Sequence, residues 1–117
     1  MRFLALIFVL CVTGCSPNQR TVDGPYRLEL FEGRYYLEKA GVEESGGGCI
    51  DGIVLEIGWT NGFIFARRFS TSRGDPDGWM IIDVSKQSIS GPISGEEFRH
   101  RFPAVQIYSP EDAWKRL

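Results

Sequence analysis

The chain has 117 residues, and its 13 Lys and Arg against 15 Asp and Glu give a formal net charge of −2. This length accommodates one folded domain. The balanced charge argues against a general nucleic-acid-binding protein, which carries a basic surface stripe. The eight Phe, four Tyr, three Trp and 14 Gly favour strands and tight turns. Three cysteines are too few for a disulfide scaffold.

The first 14 residues form a segment of a different kind. A basic residue is followed by an apolar run over residues 3–12, which is too short to cross a bilayer because a membrane-spanning helix needs about 20 residues. A run of this length is typical of the core of a signal peptide. It ends in Val12-Thr13-Gly14-Cys15, which resembles a bacterial lipobox and so implies cleavage between Gly14 and Cys15 and lipidation of the new N-terminal cysteine. The alternative is an uncleaved hydrophobic strand or helix with a chance cysteine.

A lipidated Cys15 predicts a protein held at the cell membrane or the outer membrane, with its domain facing the periplasm or the cell exterior. The lipobox resemblance implies two or more acyl chains on this residue, and two are enough for stable attachment. Ser16 resembles the residue found at this position in outer-membrane lipoproteins. Under this reading Cys11 is removed with the leader and Cys15 is blocked by lipid, so Cys49 is the one unmodified thiol and cannot form an internal disulfide.

Residues 16–25 are polar, contain two prolines and a glycine, and show neither a strand nor a helix period. We therefore expect a signal peptide over residues 1–14, the lipidated cysteine and a flexible tether over 15–25, and a single globular domain over 26–117. Fully extended, a tether of ten residues reaches roughly 33–36 Å.

Alternating apolar residues and turn signals predict six strands in the domain. Tyr26, Leu28 and Leu30 share one face of the first strand, and Glu32-Gly33 turns the chain back. Asn61-Gly62 is the strongest hairpin signal in the chain, because both residues tolerate a positive φ. The predicted strands cover residues 26–31, 34–39, 53–59, 63–69, 79–84 and 88–90.

Three of these strands carry more specific predictions. In the third, the alternation places Leu55 on the same face as Ile53 and Ile57. The run Trp79–Val84 is nearly all apolar, which indicates a central strand covered on both faces. Gly91-Pro92 is expected to end the last strand.

Two short helices are predicted after the strands. A capping box at Ser94 starts a helix over about residues 95–102, with Phe98 and Phe102 facing the sheet. Ser109-Pro110 marks the start of a second helix. The expected fold is mainly β to α+β: an antiparallel meander of about six strands with one or two short C-terminal helices.

Three segments of the domain resemble those of small bacterial lipoproteins of unknown function. They are a tryptophan-led hairpin at Trp59–Arg67, a second tryptophan strand ending in aspartate at Trp79–Asp83, and a Gly-Pro before a short acidic helix at Gly91–Phe98. Together the likeness covers roughly residues 53–99. The resemblance implies the fold and the lipid anchor, and it implies no activity.

Two residues with reactive side chains are candidates for chemistry. His100 is the only histidine, and a hydrolase of the Ser-His-Asp or Cys-His type would have to use it. Its place between Arg99 and Arg101 on a short helix predicts a solvated side chain without a catalytic role. Cys49 follows three glycines and lies near Asp51. Because a reactive thiol needs positive charge nearby, Cys49 is expected to be structural, with redox or inter-chain use as alternatives.

Three charged motifs are expected to have ordinary roles. Residues 75–78 (DPDG) resemble the start of a calcium loop but lack two of the ligands that such a loop needs, so a plain turn is expected. Residues 73–75 (RGD) spell an adhesion tripeptide, a match that occurs often by chance. Arg67-Arg68 is expected to be a surface pair, with an inward arginine paired to Glu56 or Asp83 as the alternative.

The sequence contains no zinc-ligand spacing, phosphate-binding glycine loop or paired-carboxylate motif, so no cofactor or metal is expected. Our leading hypothesis is a lipid-anchored envelope protein whose domain acts by binding, not catalysis. The partner would be another envelope protein or a cell-wall component, and not a nucleic acid. An inhibitor or immunity protein against an envelope enzyme is the second hypothesis, and an enzyme is the third.

Overall fold

The computed structural model describes residues 18–41, 49–70 and 77–117. These ranges contain seven antiparallel strands in two sheets, followed by two short helices. The first sheet has the order β1-β2-β3, with β1 at Gln19–Asp23, β2 at Tyr26–Phe31 and β3 at Arg34–Lys39. The second has the order β4-β5-β6-β7, with bounds Ile53–Thr60, Phe63–Phe69, Gly78–Asp83 and Ser88–Ile93. The helices are α1 at Gly95–Arg101 and α2 at Pro110–Arg116.

The first sheet is buried on one face only. Tyr26 and Leu28 of β2 and Leu37 of β3 are fully buried, whereas Arg27 and Glu29 of β2 are half-buried. This alternation follows from the two-residue period of a strand. β3 lies against β4, and the inner faces of the two sheets share one core. The predicted β-rich antiparallel fold with short C-terminal helices is confirmed.

The second sheet is buried on both faces. Ile64 and Ala66 of β5 belong to the core between the sheets, while Phe65 belongs to a second core on the opposite face. In β6, all residues from Trp79 to Ile82 are buried, which confirms the predicted central strand. A strand that is covered on both faces has a continuous apolar sequence, because neither set of alternating side chains meets water.

The C-terminal segment covers the outer face of the second sheet. The Phe98 ring of α1 stacks on Trp79, with ring centroids 4.0 Å apart. The chain then crosses to β4 at Gly58, where a Cβ atom would lie 2.5 Å from a carbonyl oxygen of the segment, so glycine is needed. Beyond the crossing, Ile57 and Tyr108 exchange backbone hydrogen bonds of 3.0 and 2.8 Å. These bonds cover part of the free edge of β4.

Both helices begin where the sequence predicts. The Ser94 hydroxyl accepts a hydrogen bond from the Glu97 N–H at 3.0 Å, and the Ser109 hydroxyl accepts one from the Asp112 N–H at 3.1 Å. Each serine satisfies one of the backbone donors that a helix N-terminus leaves open. Among the described residues, no helix has the length and apolar character needed to cross a membrane.

Part of the predicted tether is a strand. Gln19–Asp23 pairs along β2, so the prediction of a flexible segment over residues 15–25 is wrong for these residues. The Arg20 guanidinium lies 4.4 Å from the centroid of the Trp114 ring and donates a hydrogen bond of 2.6 Å to the Trp114 carbonyl oxygen. A stretch this short and polar becomes a strand through its pairing with β2 and its contact with α2, which no local pattern reveals.

A β-bulge overturns the predicted face pattern of β4. The register shifts between Val54 and Glu56, so Leu55 falls between the paired positions. Val54 and Ile57 enter the core, and Leu55 is 36% exposed. A bulge inserts one extra residue into a strand and so changes which side chains face inward.

The predicted end of the last strand is also wrong. β7 continues through Gly91-Pro92 to Ile93, which pairs with Trp79. Proline has no backbone N–H to donate. It is tolerated in β7 because this strand lies at the edge of its sheet, and no strand on its open side needs that donor.

Candidate functional site

The end of the domain at which β1 begins carries an exposed aromatic side chain. The Leu30 N–H donates a hydrogen bond of 2.9 Å to the Asn18 carbonyl oxygen, which holds the start of β1 beside the end of β2. Phe31 follows and is 54% exposed, more than any other large apolar side chain in the described ranges. The Glu32-Gly33 turn comes next. We call this region, defined by Asn18, Phe31 and Glu32-Gly33, the proximal end.

A shallow cavity of about 280 Å³ opens beside the turn of the proximal end. Three chain segments line it: residues 33–35, residues 53–55 of β4 and residues 109–111 at the start of α2. The lining includes the cationic Arg34 and the anionic Glu111, together with Leu55, which the bulge leaves partly exposed. The proximal end therefore combines apolar side chains with charges of both signs.

The distal end lies opposite and is marked by Gly24, Gly62 and Val84. A Cβ atom on Gly24 would lie 2.7 Å from Cγ1 of Val84, so the β1–β2 turn contacts the chain just after β6. The Val84 N–H donates a hydrogen bond of 2.8 Å to the Gly62 carbonyl oxygen. Phe63 is 38% exposed here and stacks on Phe65, with ring centroids 6.3 Å apart. The aromatic residue of the distal end is therefore packed more closely than Phe31.

The predicted surface pair Arg67-Arg68 is split between the two faces of β5. Arg67 forms an ion pair of 2.7 Å with Glu56, and the two side chains are 41% and 40% exposed, so Arg67 lies at the surface and is not the inward arginine of the alternative prediction. Arg68 is 4% exposed, so the surface prediction is wrong for this residue. Its guanidinium donates a hydrogen bond of 3.3 Å to the Asp51 carbonyl oxygen. The split follows from the alternation of side chains along a strand.

Asp51 and Asp77 hold the chain that leaves β5. The Ser70 hydroxyl donates a hydrogen bond of 2.6 Å to Oδ2 of Asp51, and the Ser70 N–H donates one of 2.9 Å to Oδ1 of Asp77. Of residues 75–78, which resemble the start of a calcium loop, the structure describes Asp77 and Gly78. Within the described ranges, no group of three or more acidic, cysteine or histidine side chains is placed to hold a metal ion.

His100 and Cys49 have different environments. His100 is exposed on α1, between two arginines. Cys49 is half-buried, and its N–H donates a hydrogen bond of 2.8 Å to the Leu37 carbonyl oxygen. Its side chain packs against the core that contains Tyr26. Burial, and to a smaller extent Cys49, raises the pKa of the Tyr26 phenol.

Gly14 and Cys15, the predicted cleavage and lipidation site, lie outside the described residues, as does the tripeptide at 73–75. No protein-family model, curated protein or solved structure matches the chain. The lipobox and the resemblance to small bacterial lipoproteins therefore stay predictions from the sequence.

Two exposed apolar side chains, Phe31 at the proximal end and Leu55 in the cavity beside it, are not among the candidate residues that the sequence predicts. The signal for Phe31 is present, because alternation places it on the outward face of β2 with Arg27 and Glu29. Leu55 has no such signal, since the alternation alone assigns it to the buried face and only the bulge exposes it.

Proposed function

We propose that this chain is a lipid-anchored protein of the bacterial cell envelope whose β-rich domain acts by binding and not by catalysis. The observation that carries this proposal is the motif Val12-Thr13-Gly14-Cys15 directly after an apolar run. The proposed partner is another envelope protein or a cell-wall component, and the anchor holds the domain at the membrane where such partners occur.

The residue types of the motif suit the chemistry of an anchor. A thioether to diacylglycerol needs a nucleophilic thiol at a fixed point near the membrane surface, and Cys15 supplies one. The small residues Thr13 and Gly14 let the peptide enter a peptidase cleft before the cut. Gln19, the first residue of β1, stands four positions after Cys15. The proposed anchor is thus joined to the fold by a very short segment.

The use of charged groups in the fold supports binding over catalysis. Arg68 contacts the Asp51 backbone, and Arg67 pairs with Glu56 of the neighbouring strand. These contacts hold strands and loop ends together, and His100 is exposed on α1. The proximal end offers a shallow cavity, with the exposed Phe31 beside it and the partly exposed Leu55 in its lining.

Palmitate labelling of the full-length chain expressed in a bacterium tests the anchor. We expect the wild type and the Cys11→Ser variant to take up label and lose residues 1–14, because the motif is intact in both. Cys15→Ala should take up no label and keep its leader, which the mass of the protein shows. Cys11→Ser is the matched control, since this cysteine lies in the leader but outside the motif. A wild-type chain without label would contradict the anchor.

Activity measurements on the purified full chain test the binding role. We expect no hydrolysis of cell-wall or ester substrates by the wild type beyond that by His100→Ala. Robust hydrolysis by the wild type that is lost in His100→Ala would contradict a role in binding alone.

A further inference from the structure

We infer that the proximal end is a membrane-contact surface, at which the Phe31 side chain enters the headgroup region of the bilayer beside the lipid anchor. The inference rests on the proposed lipidation of Cys15, because the anchor brings this end to the membrane. It assigns the lipid surface as the partner of the proximal end, and it predicts that the domain stands on the membrane in one orientation.

The chain between the proposed lipid and the fold has a short reach. Gln19 begins β1 four positions after Cys15. An extended chain spans at most ~3.3–3.6 Å per residue, so the start of β1 stands within about 14 Å of the lipid-bearing residue. This limit holds whatever path the intervening residues take. A flexible tether of ten residues would have allowed roughly 33–36 Å.

Phe31 lies next to the point where the chain from the anchor enters the fold. The hydrogen bond from the Leu30 N–H to the Asn18 carbonyl oxygen, at 2.9 Å, places the last residue before β1 beside the end of β2. Phe31 is the next residue of β2 and is 54% exposed. The chain therefore arrives from the anchor next to an exposed aromatic side chain, and a short connection keeps that side chain close to the lipid.

The tip of the β2–β3 hairpin, which carries Phe31, is a regular two-residue turn. β2 and β3 pair without a register shift up to Phe31 and Arg34, the residues that flank the turn. Glu32 and Gly33 take φ values of 52° and 78°, the conformation of a tight two-residue hairpin turn. Because the backbone that carries Phe31 is already ordered, inserting its ring loses little conformational entropy. The buried apolar area then adds to the affinity of the acyl chains.

The charges around the tip of the β2–β3 hairpin are of both signs. Glu32 and Arg34 are both exposed, and Arg34 shares the cavity lining with Glu111. Arg20, two residues after Asn18, is also exposed, so the two basic residues of this end stand against Glu32 and Glu111. A surface attracted by anionic lipids needs a cluster of basic residues that acidic residues do not balance. Leu55, on the same cavity, adds apolar surface instead. The contact is therefore apolar and independent of lipid charge.

Phe63 provides a matched control at the distal end. It flanks a two-residue turn, Asn61-Gly62, whose φ values of 32° and 85° resemble those of the proximal turn. It is also a partly exposed aromatic residue, at 38%. An orientation with the proximal end on the membrane holds Phe63 away from the lipid.

Tryptophan fluorescence of the full lipidated chain in vesicles tests the inference. Phe31→Trp and Phe63→Trp are compared in vesicles of phosphatidylethanolamine and phosphatidylglycerol that contain a phosphatidylcholine brominated on its acyl chains. Trp59, Trp79 and Trp114 are present in the wild type and in both variants, so the quenching of wild-type emission in the same vesicles is subtracted. We expect the remaining quenching to be roughly twofold larger for Phe31→Trp than for Phe63→Trp, because a side chain ~5–10 Å into the interface lies near the bromine atoms. The difference should persist at high salt and at low phosphatidylglycerol.

Three outcomes would overturn the inference in different ways. Equal quenching of the two variants, in chains that carry lipid and float with the vesicles, would overturn the membrane-contact surface and leave the proposed anchor intact. A difference that disappears at high salt would overturn the apolar contact. A chain without lipid that does not float with the vesicles would overturn the proposed anchor and this inference together. Thermal unfolding checks that both variants keep the fold, as expected for substitutions at exposed aromatic positions.

Discussion

The β2–β3 and β4–β5 hairpins are built alike and have different surroundings. Both turns consist of two residues with positive φ, at 52° and 78° in Glu32-Gly33 and at 32° and 85° in Asn61-Gly62. Each turn is flanked by a phenylalanine, and Phe31 is 54% exposed against 38% for Phe63. Phe63 stacks on Phe65 of its own strand. Local turn chemistry thus sets the hairpin, and the surrounding layers set the environment of its side chains.

The difference comes from the number of faces that each sheet buries. β5 lies in a sheet with a core on each face, so its outward residue Phe65 packs beneath α1 and the segment that follows. β2 and β3 bury one face, so their outward residues meet solvent. An aromatic residue on such a face contributes little to the core, which is why Phe31 is available for an external contact.

The largest expected effect tests whether the outer faces of the two sheets differ. Phe65→Ala should lower the free energy of unfolding by about 3–5 kcal/mol, because it leaves a cavity against Phe98 and Phe102. Tyr36→Ala, at a half-buried outward position of β3, should lower it by about 1 kcal/mol or less. Urea unfolding measures both. Equal losses would show that the outer faces of the two sheets are packed alike, which would contradict the prediction.

An intermediate effect tests whether the two turns are equivalent. Gly33→Ala and Gly62→Ala should each lower the free energy of unfolding by about 1–2 kcal/mol, because alanine is disfavoured at positive φ. The two losses should agree, since a Cβ atom at either position meets nothing within 4 Å. Thermal and urea unfolding of the pair give the measurement. A clearly larger loss at one turn would mean that its surroundings, and not its backbone alone, restrict the residue.

The smallest effect is a pH dependence at the β6–β7 turn, near the distal end. Hydrogen bonds from the Lys86 N–H and the Ser85 hydroxyl lower the pKa of Asp83 below its usual value of 3.8. The carboxylate therefore stabilises the fold above its unfolded pKa, and the contribution is lost as the pH falls through the lowered folded pKa. Asp83→Asn should be slightly less stable than the wild type near neutral pH, and the gap should close in acid.

Melting temperatures of Asp83→Asn and the wild type, recorded from neutral pH to below 3.8, provide the measurement. Ser85→Ala is the matched control, because it keeps the carboxylate and removes one donor, and it should show a smaller pH-dependent loss. A gap between Asp83→Asn and the wild type that is constant with pH would rule out ionisation of Asp83 as its cause.

Most strands and both helix starts could be predicted because their signals are local. Asn61-Gly62 sets a turn through its own backbone preferences. Ser94 and Ser109 each cap the helix that follows them by accepting a hydrogen bond from the N–H three residues on. The bulge at Leu55 could not be predicted, because the alternating pattern of β4 is unbroken in the sequence and the shift appears only in its pairing with β5.

The candidate site residues divide in the same way. Alternation alone shows that Arg67 and Arg68 face opposite sides of β5. That Arg68 is the buried one, beside Asp51, depends on which face the first sheet covers. Lipidation at Cys15 remains a prediction from its motif.

By itself, the sequence determined the Glu32-Gly33 and Asn61-Gly62 turns, the alternation of β2 and β5 and the starts of both helices, because each depends on residues a few positions apart. Only the tertiary structure decided that Gln19–Asp23 belongs to the domain and that Phe31 stands beside its start. The physical reason is that a short polar strand gains its hydrogen bonds and side-chain contacts from β2 and α2, which follow it in the chain. That pairing changes a predicted loose tether into a short connection between the proposed anchor and the fold.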